Sequence, residues 1–195
     1  MTDYYQRKYK EYHKNTFSID PFSFLKQFVK RLTKGSLIID VGCGSGRDLL
    51  WLQKKGFEVI GFERSAGLAA LARENAGCEV IEGNFEVYDF SNLKGDAILA
   101  SGSLVHVPHE RLPNVLGNIA KALDCSQNSG YFYVSLKEGR GESSDSKGRT
   151  FYLWQDEELR ALFKRQGFEV AEFLKNESAL GTGEIWLGYV LGKKE

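Results

Sequence analysis

From residue 36 onward the chain alternates two patterns. Short apolar, β-branched runs are followed by longer segments whose apolar residues recur every three or four positions. The short runs predict strands over 36–42, 58–63, 79–83, 95–101, 130–137, 168–175 and 185–192. The longer segments predict helices over 47–55, 66–75, 108–123 and 155–166. Such a βαβα rhythm makes a parallel-dominated sheet with helices on both faces. Gly35, Gly56, Gly77, Gly95, Gly130 and Gly167 each stand just before a strand, and several suit the closing position of a helix. Between the last two strands 176–184 reads as loop, so that pair is expected to be antiparallel.

The residues before the sheet have another character. Tyr5, Tyr9 and Tyr12 fall on one face of a predicted helix over 3–14. A second amphipathic helix over 21–33 starts at Pro21, behind a capping Asp20, and carries Phe24, Leu25, Phe28, Val29 and Leu32. Either these helices pack against the sheet or they cover a ligand. The expected organisation is one domain over 1–195, with a helical segment at 1–34 and an α/β core at 35–195.

Composition narrows the function classes. Lys+Arg and Asp+Glu are both 26, so the formal charge is zero and a large nucleic-acid footprint is disfavoured. No apolar run approaches the roughly 18 residues of a membrane span, and the start lacks a signal-peptide core. Cys43, Cys78 and Cys125 are odd in number and widely spaced, which suits neither a disulfide framework nor a metal site. A cytoplasmic protein, monomer or homodimer, is expected.

The chemistry concentrates at Leu37-Ile38-Ile39-Asp40-Val41-Gly42-Cys43-Gly44-Ser45-Gly46-Arg47-Asp48. An apolar strand stops at an acid, glycines follow at alternate positions, and a helix begins. A dinucleotide fingerprint needs its third glycine one residue later, where Arg47 stands, and the phosphate loop G-x-x-x-x-G-K-[ST] is absent. Cys43 fits as a small filler in the turn or as a reactive thiol. Glu63 ends the second strand, and a carboxylate there can accept from both hydroxyls of a ribose.

The motif Asp40-x-Gly42-x-Gly44-x-Gly46 resembles the first motif of class I S-adenosylmethionine-dependent methyltransferases. The stretch Gly95-Asp96-Ala97-Ile98, followed by Leu104-Val105-His106-Val107-Pro108, is similar to that family's signature after strand four. The resemblance implies a Rossmann-like seven-stranded, mostly parallel sheet of order 3-2-1-4-5-7-6, its last strand antiparallel, with helices on both faces. It implies S-adenosylmethionine as cofactor and S-adenosylhomocysteine as product. The implied cofactor-binding residues are Asp40, Gly42, Cys43, Gly44, Gly46 and Arg47 from the glycine turn, then Glu63 with Arg64. Asn84 and Phe85 would meet the adenine, and Ser101 and Ser103 would face the cofactor or the acceptor. The N-terminal helices would supply a lid.

For the chemical step the candidates are His106 and Glu142. His106 titrates near neutrality and suits a general base, or else it bonds backbone at the start of the next helix. The polar loop 137–152 reads as a binding loop, with Lys137, Glu142, Arg149, Tyr152 and Trp154 on the acceptor side, or as a solvated one. The expected activity is methyl transfer to a small molecule. A cofactor-binding module without turnover is the alternative, and an NAD-linked oxidoreductase a weaker one.

Overall fold

The computed structural model describes residues 4–123 and 130–193, so Cys125 lies outside the described residues. Nine strands are described: β1 (Leu37–Val41), β2 (Glu58–Glu63), β3 (Val80–Glu82), β4 (Ala97–Ser101), β5 (Tyr131–Lys137), β6 (Glu142–Ser144), β7 (Thr150–Tyr152), β8 (Phe168–Glu177) and β9 (Ile185–Lys193). Seven of them form one sheet of order β3-β2-β1-β4-β5-β9-β8, and β6 with β7 forms a separate hairpin. In the seven-stranded sheet β9 runs antiparallel to both β5 and β8, and that sheet's other pairings are parallel. With the hairpin set aside, this is the expected order 3-2-1-4-5-7-6 with an antiparallel last strand. The chain winds outward from β1 to β3, then crosses back to start β4 on the other side of β1. That reversal opens a crevice at the carboxyl ends of β1 and β4.

Strand residues alternate between two apolar layers. Ile39, Val41, Ile98, Phe132 and Val134 point into one, Ile38, Leu99, Tyr133 and Val190 into the other. Both faces are covered, which is why the strands read as continuous apolar runs. Helices α3 (Phe22–Val29), α4 (Arg47–Lys54), α5 (Ala66–Ala76), α6 (Leu112–Ile119) and α7 (Asp156–Arg165) supply the cover, and α1 (Tyr4–Arg7) and α2 (Tyr9–Thr16) precede them. Leu25 and Phe28 of α3 share the second layer with Leu49 and Leu52 of α4. Leu116 of α6 and Phe163 of α7 belong to the first. In α7 the Glu158 carboxylate accepts from the Gln155 amide at 3.0 Å, closing the N-terminus as a capping box.

Three expectations change. The helix expected over 108–123 is shorter, because Pro113 sits in its first turn and single 3-10 turns at Leu104–His106 and Ala120–Ala122 flank it. β8 continues to Glu177 into the expected loop, and the Ser178 amide then bonds the Glu184 carbonyl at 2.8 Å. The 137–152 loop holds the β6–β7 hairpin. Asp145 folds it by accepting from the amides of Lys147 and Arg149 at 2.9 and 3.0 Å.

The N-terminal helices take two positions. α3 packs on the sheet, begun by an Asp20 carboxylate that accepts from the Phe22 amide at 3.0 Å. α1 and α2, separated at Lys8, lie across the crevice instead. The Tyr9 ring rests on Gly67 in the first turn of α5, where a Cβ would stand 2.6 Å from the ring.

Gly46 closes the glycine turn and joins α4 to α5. Its φ is +86°, and a Cβ there would lie 2.9 Å from the Ala72 Cα. Gly46→Ala is expected to lower the unfolding free energy by about 2–4 kcal/mol, from left-handed strain plus overpacking. Urea denaturation checks this, and an unchanged midpoint would show that the α4–α5 contact yields freely.

Candidate functional site

The turn after β1 is built from glycines with left-handed backbone: φ is +81° at Gly42, +57° at Gly44 and +86° at Gly46. Gly42 is the tightest. A Cβ there would sit 2.3 Å from the Ser103 Cβ, so the turn after β1 and the loop after β4 touch. Glu63, buried at the end of β2, accepts from the Gly44 amide at 3.0 Å and from the Ser65 amide at 2.8 Å. Burial raises its pKa above the ordinary carboxylate range, and those backbone bonds oppose the rise. Each carboxylate oxygen keeps a second acceptor site. Asp40 Oδ2 and Ser103 Oγ are buried without a hydrogen-bond partner among the described residues. Burial, then the nearby Asp48 carboxylate, pushes Asp40 far above its ordinary pKa.

Two cavities meet over this turn. The smaller, about 60 Å³, is lined by Gly42, Gly44, Glu63, Arg64, Phe85 and Ser103, with His106 at its edge. The larger, about 330 Å³, lies over the end of β5 and takes in Arg47, Lys137, Arg149, Phe151 and Trp186. Tyr5, Tyr12, Ser101 and Gly102 line both. The smaller cavity has room for a few waters only. Tyr12 helps fill it, its ring 3.5 Å from where a Gly44 Cβ would be.

Tyr5 brings His106 into the site. His106 Nδ1 bonds the Thr150 carbonyl, which can only accept, so Nδ1 carries the proton. Nε2 is then an acceptor, and the Tyr5 hydroxyl donates to it at 2.8 Å. Arg149 Nη1 approaches the same hydroxyl at 3.4 Å. Burial lowers the His106 pKa, the Thr150 bond opposes it, and the charges of Arg149 and Lys137 lower it further. His106 is therefore neutral; it lines the smaller cavity, bonds backbone through Nδ1 and meets the Tyr5 hydroxyl through Nε2. Burial, helped by Tyr12, raises the Tyr5 phenol above its ordinary pKa.

The other expected residues divide. Arg47 lines the larger cavity, its guanidinium forked onto Asp48 at 2.6 and 2.9 Å and lying 5.4 Å from the Phe24 ring centroid. Cys43 is buried as a filler against Gly61. Gly46 packs helices and lines neither cavity. The Asn84 carboxamide accepts from the Glu86 amide at 3.1 Å in its own turn, while Phe85 beside it reaches the smaller cavity.

Glu142 needs correction. It is exposed in β6, paired in register with Tyr152, and lines neither cavity. Trp154 is a core residue with its ring 4.3 Å from that of His109, and Tyr152 also packs on His109. Strand alternation turns Phe151 inward in place of its neighbour. Tyr133, Ser135 and Lys137 line the larger cavity from alternate positions of β5, a period visible in the sequence once the strand is placed.

Residues 38–125 match the family described as a methyltransferase domain. That likeness covers 88 of the 195 residues, a methyltransferase-like segment that includes the glycine turn. The chloroplastic magnesium protoporphyrin IX methyltransferase of Arabidopsis thaliana is 26% identical over 153 residues, 73% of this chain and 49% of its own length. The chain thus spans about half the length of that curated relative. A methyltransferase structure from Methanosarcina mazei superposes with a TM-score of 0.75 at 18% identity, covering 86% of this chain and 97% of the other. The 1,6-didemethyltoxoflavin-N1-methyltransferase of Burkholderia thailandensis, crystallised with S-adenosylhomocysteine, gives 0.75 at 18% identity over 97% and 85% of the two chains. The bare turn, the buried ribose-type acceptor at Glu63 and the unpartnered Ser103 hydroxyl fit that ligand once the Tyr12 ring moves aside.

The lowered His106 pKa has a stability consequence. The unfolded chain binds this proton more readily than the folded one, so the contribution is present above the ordinary value of 6.5 and fades as pH falls through the folded value. His106→Gln is expected to lose less stability than the wild type between about pH 7.5 and pH 5.5. Urea unfolding at both pH values checks this, and equal losses would contradict it.

Proposed function

We propose that the protein transfers the methyl group of S-adenosylmethionine to a small-molecule acceptor held in the larger cavity. The observation that carries this is the junction: two cavities, one over the glycine turn and one over β5, share the wall of Tyr5, Tyr12, Ser101 and Gly102. A binding module without turnover has no use for the second cavity. Relatives named for their acceptors act on magnesium protoporphyrin IX, on 1,6-didemethyltoxoflavin or on a glycopeptide. A neutral formal charge agrees with such an acceptor, and the unpaired Cys43 and Cys78 agree with a reducing cytoplasm.

In this reading Glu63 accepts from the ribose, Phe85 lies beside the adenine, and the Gly42–Gly44 backbone and Ser103 border the methionine end. Arg64, Asn84 and Ser101 stand around them, and Asp40 supports the turn from below. The cofactor supplies an electrophilic methyl carbon, leaving the protein to align the acceptor and remove its proton. The proton leaves through Tyr5. Its hydroxyl takes it from an acceptor O–H or N–H while passing its own to His106 Nε2, and the Thr150 carbonyl steadies the imidazolium through Nδ1. α1 and α2 act as the lid. Arg149 and Lys147 hold it from the hairpin, the latter through Glu11 at 2.8 Å and the Tyr4 hydroxyl at 3.1 Å.

S-adenosylhomocysteine is expected to raise the melting temperature and NAD to leave it unchanged, and the reverse ranking would refute the assignment. With the acceptor identified by a labelled-methyl screen of metabolite extract, Tyr5→Phe should lower kcat about 10²-fold. Its calorimetric affinity for S-adenosylhomocysteine should stay close to wild type. A kcat near wild type would remove Tyr5 from the proton path.

A further inference from the structure

The transfer step leaves Lys137 without a task. It ends β5, is 6% exposed, and points its ammonium into the larger cavity. The nitrogen lies 3.5 Å from the Phe151 ring centroid and 5.5 Å from that of Trp186. Among the described residues its hydrogen-bond partner is the Glu184 carboxylate. An ammonium has three donors, so this partner does not exhaust it. A cation this deep needs a counter-charge, because an unpaired buried ion is strongly destabilising.

The two members of the pair are held very differently. The Lys137 side chain is 7% exposed on a central strand, while that of Glu184 is 40% exposed just before β9. Glu184 follows Gly181 and Gly183, both with left-handed φ, and its other partner is the nearby Thr182 hydroxyl at 2.6 Å. The cation is fixed and its counter-ion peripheral. Exchanging Glu184 for a second carboxylate would leave the charge of the cavity unchanged and return Glu184 to water it already touches. The surroundings specify the rest of the molecule. Phe151 and Trp186 flank the ammonium, and the Trp186 ring comes within 3.1 Å of where a Gly102 side chain would stand, at the junction with the cofactor cavity. A ring lying along these aromatic walls would reach from Lys137 toward that junction.

Building on the methyl-transfer reading, we propose that Lys137 anchors the carboxylate of a flat aromatic acceptor, and that Glu184 is the stand-in counter-ion this carboxylate displaces. The test is calorimetric titration of the enzyme saturated with S-adenosylhomocysteine, using 2-naphthoate and its neutral isostere 2-naphthamide as probes. Naphthoate is expected to bind about tenfold tighter than the amide, as a charge-assisted bond implies. Lys137→Met should abolish that preference. Glu184→Gln, which weakens the competitor without touching the cation, should tighten naphthoate severalfold. Naphthoate that fails to bind, or binds no better than the amide, overturns the proposal, as does Glu184→Gln that weakens it. Should Lys137→Met fail to fold, the half-exposed Glu184 variant still decides. Absence of S-adenosylhomocysteine binding in the same cell would defeat the transfer reading itself. Its binding without a carboxylate preference would defeat only the anchor.

Discussion

Two loops contend for one place in this protein, and a missing side chain resolves the contest. The turn after β1 and the loop after β4 leave neighbouring strands at the same sheet edge, and a methyl group at residue 42 would stand 2.3 Å from the Ser103 Cβ. Because residue 42 is bare, the loops can touch, and the Gly44 amide reaches the Glu63 carboxylate from the adjoining strand. Three strand ends are thereby joined at one point. The crevice that results is narrow, lined by backbone, and close to a buried carboxylate with acceptor capacity to spare.

The N-terminal helices and the β6–β7 hairpin complete the enclosure from opposite sides. Their meeting place is Tyr5, whose hydroxyl lies between His106 from the loop after β4 and Arg149 from the hairpin. Three segments distant in sequence converge on one phenol. None of them alone makes this chain of hydrogen bonds. His106 would be an ordinary half-buried histidine without the hydroxyl, and Tyr5 would have no acceptor without the Thr150 carbonyl that sets the histidine tautomer. The same short helices therefore wall both cavities, through Tyr5 and Tyr12.

The sheet was legible in the sequence because each central strand is buried on both faces and each helix carries one apolar stripe, so short continuous apolar runs separate cleanly from a period of 3.6. The glycine turn was legible because left-handed backbone demands a particular residue, and Glu63 because it ends a strand next to that turn. The hairpin was not: Glu142-Ser143-Ser144 is exposed throughout, has no alternation, and is shaped by the Asp145 side chain instead of burial. This is why Glu142 looked chemical. Tyr5 and Tyr12 showed as a helical face, but nothing in their spacing indicates which surface that face would meet. Long-range partners such as Tyr5 and His106 carry no local pattern.

Gly67 gives the enclosure a further meaning. Glycine in a helix is unfavourable by roughly 1 kcal/mol against alanine, and here it stands in the first turn of α5, where alanine would serve the helix better. Its use is to let the Tyr9 ring lie flat, since a Cβ would press into that ring at 2.6 Å. The helix is thus weakened so that the arm crossing it can settle fully. A single methyl group there would act as a doorstop, leaving the fold sound while the enclosure stood ajar to water.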